Sequence, residues 1–502
     1  MIKNICLGVL IILSIQSLYA QDSLRMHFDP IKERTSLINE HRNTFYRSPS
    51  SKPFLYEHSL TPIQVSYGNE GKDVFNLQDG SGVSGFKFNT SSYLKNQFPD
   101  ITLWGNATYE NLKVKDIKFN ETSDYDLLFP YLTADSVGGN VFQENYSFGG
   151  GLAKTKGKWV YGGGISYRAN QSYRRVDPRQ SNVSSDLMLE AGASYQILPN
   201  YIIDASAKFN YYKQDNKVVF NKLLGRPALY YLNGLGTYNQ MMAGFTGSTA
   251  SIFYELYAAE GKLAFLPKKA TGLYFETYLK QYLGHRILPR SAMTANEWSD
   301  IHLGGKGGYI NLDNYIHYGV LAALNLQTKK GKEGLFANDG VSSGYTKISE
   351  KSTYRYYDFE YQLELLVGQK DWTIKPYAEF QQIKEQYVSP FREQKIDALK
   401  LGAKAQYLME LNEGLLGISL NLQKKKIIQK HSTFNAIRED SGLSDLLKLN
   451  YQYLTAEPFA ISAEIRYDVK LSKQIKPYLI ANASTASEIK QKSIGIAVGL
   501  LF

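Results

Sequence analysis

LGAKAQYLME at 401–410, LNE at 411–413 and GLLGISLNLQ at 414–423 form the stretch on which the fold turns. Leu401, Ala403, Ala405, Tyr407 and Met409 take one set of alternate positions, and Lys404, Gln406 and Glu410 take the other. Beyond Asn412-Glu413-Gly414, Leu416, Ile418, Leu420 and Leu422 alternate with Gly417, Ser419, Asn421 and Gln423. A period of two sends successive side chains to opposite faces of a strand, whereas a helix repeats every ~3.6 residues. Asn, Glu and Gly between the two runs supply turn chemistry. The stretch predicts a strand, a tight turn and a second strand.

The pattern recurs along the chain. Phe459, Ile461, Ala463, Ile465, Tyr467 and Val469 oppose Ser462, Glu464, Arg466 and Asp468, and Tyr357, Phe359, Tyr361, Leu363 and Leu365 oppose Asp358, Glu360, Gln362 and Glu364. Strands are predicted at 60–68, 83–95, 101–116, 145–154, 158–173, 183–197, 200–216, 250–265 and 271–285. Nine more follow at 304–312, 315–328, 354–368, 371–387, 396–411, 414–428, 446–470, 475–484 and 490–502. The total is eighteen, with sixteen as the fallback because Gly304, Gly305, Gly307 and Gly308 dilute the pattern of 304–312. Composition agrees, with 39 Tyr and only 15 Pro in 502 residues, since aromatics suit a pleated surface and Pro cannot donate to a ladder. Beyond the first twenty residues, no apolar run approaches the ~20 that a membrane-spanning helix needs.

Turn spacing separates a barrel from a sandwich. Connections after even-numbered strands are short, while 117–144, 217–249, 286–303, 329–353 and 429–445 are long. Short turns at one end and long loops at the other describe an all-β, transmembrane, antiparallel up-and-down β-barrel with periplasmic turns and extracellular loops. One face of each strand is apolar, with aromatics such as Trp159, Tyr167, Trp372 and Phe380 near its ends. Closure also leaves no exposed strand edge.

In the last strand Ile494, Ile496, Val498, Leu500 and Phe502 alternate with Ser493, Gly495, Ala497 and Gly499. This ending resembles bacterial outer-membrane barrels, whose final strand closes on an aromatic read by the barrel-assembly machinery. The resemblance makes Phe502 the assembly signal and the assembly machinery a partner. The Ala20-Gln21 junction, the Tyr-rich strands and the segment Arg34–Tyr46 resemble a group of Bacteroidota outer-membrane barrel proteins, which implies no catalytic residue.

Residues 1–20 have the form of a signal peptide, with Lys3, the apolar run Ile5–Ile15 and the small-residue end Ser17-Leu18-Tyr19-Ala20. Cys6, the single cysteine, lies inside it, so disulfides and thiolate metal sites are excluded from the mature chain. Residues 21–59, polar and holding Pro30, Pro49 and Pro53, precede the 60–502 barrel. They are expected on the periplasmic side, as a tail, as a short helix such as Ile31–Phe45, or as a segment entering the lumen.

Chemistry-bearing motifs are few. Gly80-x-Gly82-x-x-Gly85 opens a strand rather than a helix, so it is no dinucleotide fingerprint. The histidines have no ligand spacing, although His285 and His302 are placed to meet at the extracellular rim. No cofactor, metal or catalytic site is expected. The formal charge is +10, and the clusters Lys424-Lys425-Lys426 and Lys329-Lys330-x-Lys332 fall at outer strand ends. There they suit outer-membrane lipid and lipopolysaccharide phosphates; nucleic acid is not a plausible partner at a cell surface. The inward faces carry Asp204, Lys208, Asp358, Glu360, Glu364, Lys375, Glu379, Lys404, Glu410, Glu464, Arg466 and Asp468, a candidate ion-pair network that either stabilises the lumen or lines a path. The expected function is a pore or transport component for an unidentified solute, with loops 217–249 and 329–353 deciding the solute if they fold inward. One alternative is a non-conducting barrel that binds at the surface or docks a partner receptor, lipoprotein or secretion apparatus. The other is an outer-membrane hydrolase.

Overall fold

The computed structural model describes residues 28–221, 227–239, 249–288, 293–338, 345–437, 442–469, 471 and 475–502; the signal peptide expected at 1–20 lies outside them. The barrel strands begin with β1 (Pro62–Gly71), β2 (Gly82–Phe98), β3 (Ile101–Ile117), β4 (Gly139–Lys156), β5 (Trp159–Arg174) and β6 (Arg179–Leu198). β7 (Tyr201–Val219), β8 (Thr249–Pro267), β9 (Gly272–Leu288), β10 (Met293–Asn311), β11 (His317–Asn338) and β12 (Tyr345–Gly368) continue the wall. β13 (Trp372–Tyr387), β14 (Arg392–Leu411), β15 (Gly414–Phe434), β16 (Phe459–Val469), β17 (Lys476–Ala486) and β18 (Gln491–Leu501) complete it. Each strand pairs antiparallel with the next, and β18 returns to β1 in continuous register from Pro62↔Leu501 to Gly71↔Lys492. The result is a closed 18-stranded antiparallel barrel.

Alternation fixes which side chains face out. Along β9, Leu273, Phe275, Leu279 and Leu283 are exposed, while Tyr274 and Glu276 between them are buried in the interior. The same outward apolar row runs through Ile494, Ile496 and Val498 of β18, each exposed. An apolar outer band over a polar interior is the arrangement of a barrel set in lipid.

The expected count of eighteen strands holds, while several element boundaries change. The weak segment 304–312 belongs to the longer strand β10, so the count is eighteen and not sixteen. Gly304 has a packing reason: a Cβ there would stand 2.3 Å from the ring of Tyr278, which lies over it from β9. The long loops expected at 286–303 and 329–353 are largely strand, because β10 already begins at Met293, β11 runs to Asn338 and β12 starts at Tyr345. The predicted strand 446–470 is helix over its first part, α4 (Leu443–Leu454), and strand only from Phe459. Leu443, Leu446 and Leu447 recur at helical spacing and are buried, which overrides the alternation read there.

Two inserts occupy the lumen. At the short-turn end lie residues 28–59, with α1 (Asp29–Thr35), α2 (Leu37–Asn43) and a 3₁₀ turn at Lys52–Phe54. Ser36 splits the single helix expected at 31–45, being extended and capping α2 through its hydroxyl. Phe45, Tyr46 and Leu55 pack on inward Ile202, Leu266, Ile310 and Leu321, while Phe28 and Ile31 pack on Leu408, Leu415 and Leu501. At the opposite end residues 118–138 and 227–239 enter the barrel. Thr133–Asp135, Leu229–Gly234 and Thr237–Tyr238 form a three-stranded sheet there, packed with α3 (Tyr125–Leu128) and α4 on the inner wall.

Candidate functional site: the closed lumen

The N-terminal segment is seated by polar contacts with β7, β8, β10, β12, β13 and β14. Asp204, fully buried on β7, accepts through Oδ1 from the Ser48, Ser50 and Ser194 hydroxyls at 3.1, 2.5 and 2.6 Å. Gln406 on β14 clasps the α1–α2 junction, accepting from Leu37 N–H at 2.9 Å and donating to the Thr35 carbonyl at 2.8 Å. Lys306 donates to the Thr44 carbonyl and Lys262 to that of Phe45, so lysines meet the unsatisfied carbonyls just past α2. Charge pairs complete the seat: Lys32–Glu410 at 2.7 Å, Lys404–Glu40 at 2.7 Å and Lys375–Glu364 at 3.0 Å, with His41 3.4 Å from Glu364. Tyr46 donates its phenol to the Pro267 carbonyl, and burial pushes that phenol well above its ordinary pKa.

The remaining inward residues meet the wall itself. Lys208 pairs with Glu260 at 3.3 Å, Lys400 with Glu379, and Arg466 grips buried Asp468 twice at 2.8 Å. Asp358 accepts from Gln381 and Tyr356, and Glu360 follows it on the same face of β12. Glu464 borders open space between β16 and β17. Thus Glu364, Lys375, Lys404, Glu410 and Asp204 bond to the N-terminal segment, which a purely cross-strand network would not involve. Lys32, Glu40 and His41 complete these contacts; their signal was in a polar stretch whose destination a periodicity argument cannot read.

Two cavities of about 600 Å³ each lie between the inserts, and both are bordered by Tyr282 and His302. The outer one sits beneath the cap among Leu235, Tyr356, Leu447 and Tyr453. The inner one sits above α2 and is bordered by charged side chains. His285 and His302 do not meet: their residue parity puts Arg286 and His302 on the inward face and His285 on the outward one, with His302 3.3 Å from Asp300. Nor do both lysine clusters face outward. Lys329 is buried, donating to the Phe129 carbonyl and pairing with Asp300, and Lys425 holds the Leu454 carbonyl at the end of α4.

The cap is pinned by arginines. Arg286, fully buried, donates to the Leu132 and Leu232 carbonyls and to Asn233, and Arg392 donates to the carbonyls of Leu235, Asn435 and Ala436. Arg174 binds Glu121 at 2.5 Å and Asp135 at 3.0 Å, all three side chains fully buried. Burial and the Asp135 charge hold Glu121 well above the usual carboxylate range. Burial opposes ionisation of Asp135 as well, but the hydrogen bond from Glu121, the Arg174 charge and the Gly138 amide lower it.

The fold and lumen define a transmembrane β-barrel filled from both ends. Residues 50–502 match the family described as "Family of unknown function (DUF6850)", and the chain belongs to that family. No curated protein matches it. Among solved structures, the ferric preacinetobactin receptor BauA of Acinetobacter baumannii is similar at 8% identity, over 88% of this chain and 80% of that one, with a TM-score of 0.38. The ferric yersiniabactin uptake receptor FyuA of Yersinia pestis is similar at 8% identity, 89% and 80% coverage and a TM-score of 0.40. The copper transporter OprC shows 6% identity, 88% and 81% coverage and a TM-score of 0.40.

Proposed function

We propose that the chain is an outer-membrane transport barrel whose N-terminal segment is the gate. Eighteen strands enclose a lumen that would otherwise hold an aqueous path. The observation that carries the reading is how residues 28–59 close it. Polar clasps at Asp204, Gln406, Lys404 and Glu410 hold the segment to the wall, alongside two apolar clusters. The Lys404–Glu40 and Lys32–Glu410 pairs, whose carboxylates are about half exposed, exchange readily for water, as a movable element requires. The cap at the long-loop end narrows the entrance and leaves a chamber beneath it. The outward apolar belt and the terminal Phe502 support the membrane placement, and Phe502 is proposed as the assembly signal.

Single-channel recording tests the gate. The mature full chain should be silent or open only briefly in a planar bilayer, while a variant lacking residues 28–58 should give sustained steps. A deletion variant that keeps its strand content by circular dichroism, inserts and stays silent would overturn the assignment.

A further inference from the structure

The inner cavity carries more positive charge than its walls neutralise. Seven lysine or arginine side chains border it against four glutamates. Each glutamate is already engaged: Glu260 by Lys208, Glu364 by Lys375, Glu40 by Lys404, and Glu276 by both Lys262 and Lys306 at 3.1 and 3.3 Å. Among the described residues, Arg47 on the N-terminal segment and Lys280 on β9 have no carboxylate within ion-pair distance; Lys280 lies 4.5 Å from the Tyr282 ring. The surplus is three charges in a space of about 600 Å³ walled by protein. Cations gathered in such a recess focus their field and repel one another unless an anion joins them. The volume falls within the ~300–1,000 Å³ of small-molecule sites and admits a compact solute, not a polymer.

We infer that this cavity is a binding site for a small multivalent oxyanion, a di- or tricarboxylate or a phosphate ester, clasped between Arg47 on the gate and Lys280 on the wall. The juxtaposition has a mechanical consequence. One of the two unpaired cations sits on the movable segment, so an anion bridging both ties occupancy to gate position. That the anion is cargo rests on the gated-barrel reading above; that it binds does not.

Isothermal titration of the full mature chain in detergent at low salt tests the site, with citrate and pyrophosphate as probes and sucrose and spermidine as controls. Citrate or pyrophosphate should bind once per chain, and the preference between them distinguishes carboxylate from phosphoryl cargo. Arg47→Ala and Lys280→Ala should each weaken binding several-fold, and the pair together by tenfold or more. Binding no stronger than that of sucrose, or binding unchanged in the double variant, would overturn the proposal. Because this readout needs no channel opening, a silent deletion variant together with anion binding by the full chain that falls in Arg47→Ala would sink the gate and spare the site. A conducting deletion variant derived from a full chain that binds no anion would do the reverse.

Discussion

Glu121, Arg174 and Asp135 show how single side chains set the state of the cap. One cation faces two carboxylates; burial and the Asp135 charge favour the protonated form of Glu121, while the Glu121 hydrogen bond and the Arg174 charge favour the ionised form of Asp135. Glu121→Gln therefore keeps the charge balance and should shift stability by less than ~1 kcal/mol. Glu121→Gln with Asp135→Asn leaves Arg174 buried and unpaired, which costs about 3–5 kcal/mol. The pH dependence follows from the signs. Glu121 is raised in the fold, so what it contributes is present at low pH and is lost as pH rises through its folded value. Asp135 is lowered, so its contribution holds above the ordinary aspartate range and is lost as pH falls through its lowered value. Hydrogen exchange across 118–138 should accelerate on the alkaline side in the parent and not in Glu121→Gln. A second residue-scale expectation concerns facing. Ile465 is exposed on the outer surface of β16 and its neighbour Glu464 faces the lumen. Ile465→Arg should cost about 2–4 kcal/mol near the bilayer midplane, whereas Glu464→Ala should refold like the parent in urea titrations monitored in lipid vesicles. Arg466 is a poor control for lumen tolerance, since an acid there would face buried Asp468.

At the scale of elements, the gate can be fixed in place. Cys6 is the only cysteine in the sequence, so an introduced pair in a chain that starts beyond it meets no competing thiol. A Cβ built at Gly192 stands 2.6 Å from the Ser50 hydroxyl oxygen, close to the ~3 Å that a bridged half-cystine's Cβ keeps from its partner sulfur. Ser50→Cys with Gly192→Cys should abolish openings of the full chain when oxidised and restore them on reduction; openings that persist in the oxidised form would mean that the segment does not gate. This scale also separates what sequence can state from what it cannot. The wall was legible because β16 and β18 repeat a local rule every second residue, and even β10 was located although glycines dilute it, Gly304 lying under Tyr278 of another strand. The inward rows were legible for the same reason, from Asp204 to Asp468. The partners of those rows were not. Glu410 meets Lys32 and Lys404 meets Glu40 across more than 360 residues of chain, and nothing local in Ile31–Phe45 announces a lumenal destination. Arg47, Lys262, Lys280 and Lys306 escaped notice similarly, since alternation gives a residue's face but not the height at which faces converge.

Across the whole molecule, closure is the decisive event, because β1 and β18 are joined only when every intervening strand is in register. Ten residue pairs make that seam, and Phe502 extends it by exchanging two backbone hydrogen bonds with Thr61, at 3.0 and 3.1 Å. The Phe502 side chain itself is exposed beyond the seam and is absent from the buried clusters of the interior. Its removal therefore subtracts little from the finished barrel's packing. If the ring is instead a recognition element for assembly, the two roles separate by experiment. Phe502→Ser should refold in lipid vesicles with the same urea midpoint as the parent, because the backbone pairs with Thr61 survive the change. In cells the same variant should reach the outer membrane several-fold less well, measured as the folded, heat-modifiable fraction of membrane preparations. Equal cellular levels would show that the terminal ring is not read during assembly, and a lowered urea midpoint in vesicles would show that its role is structural.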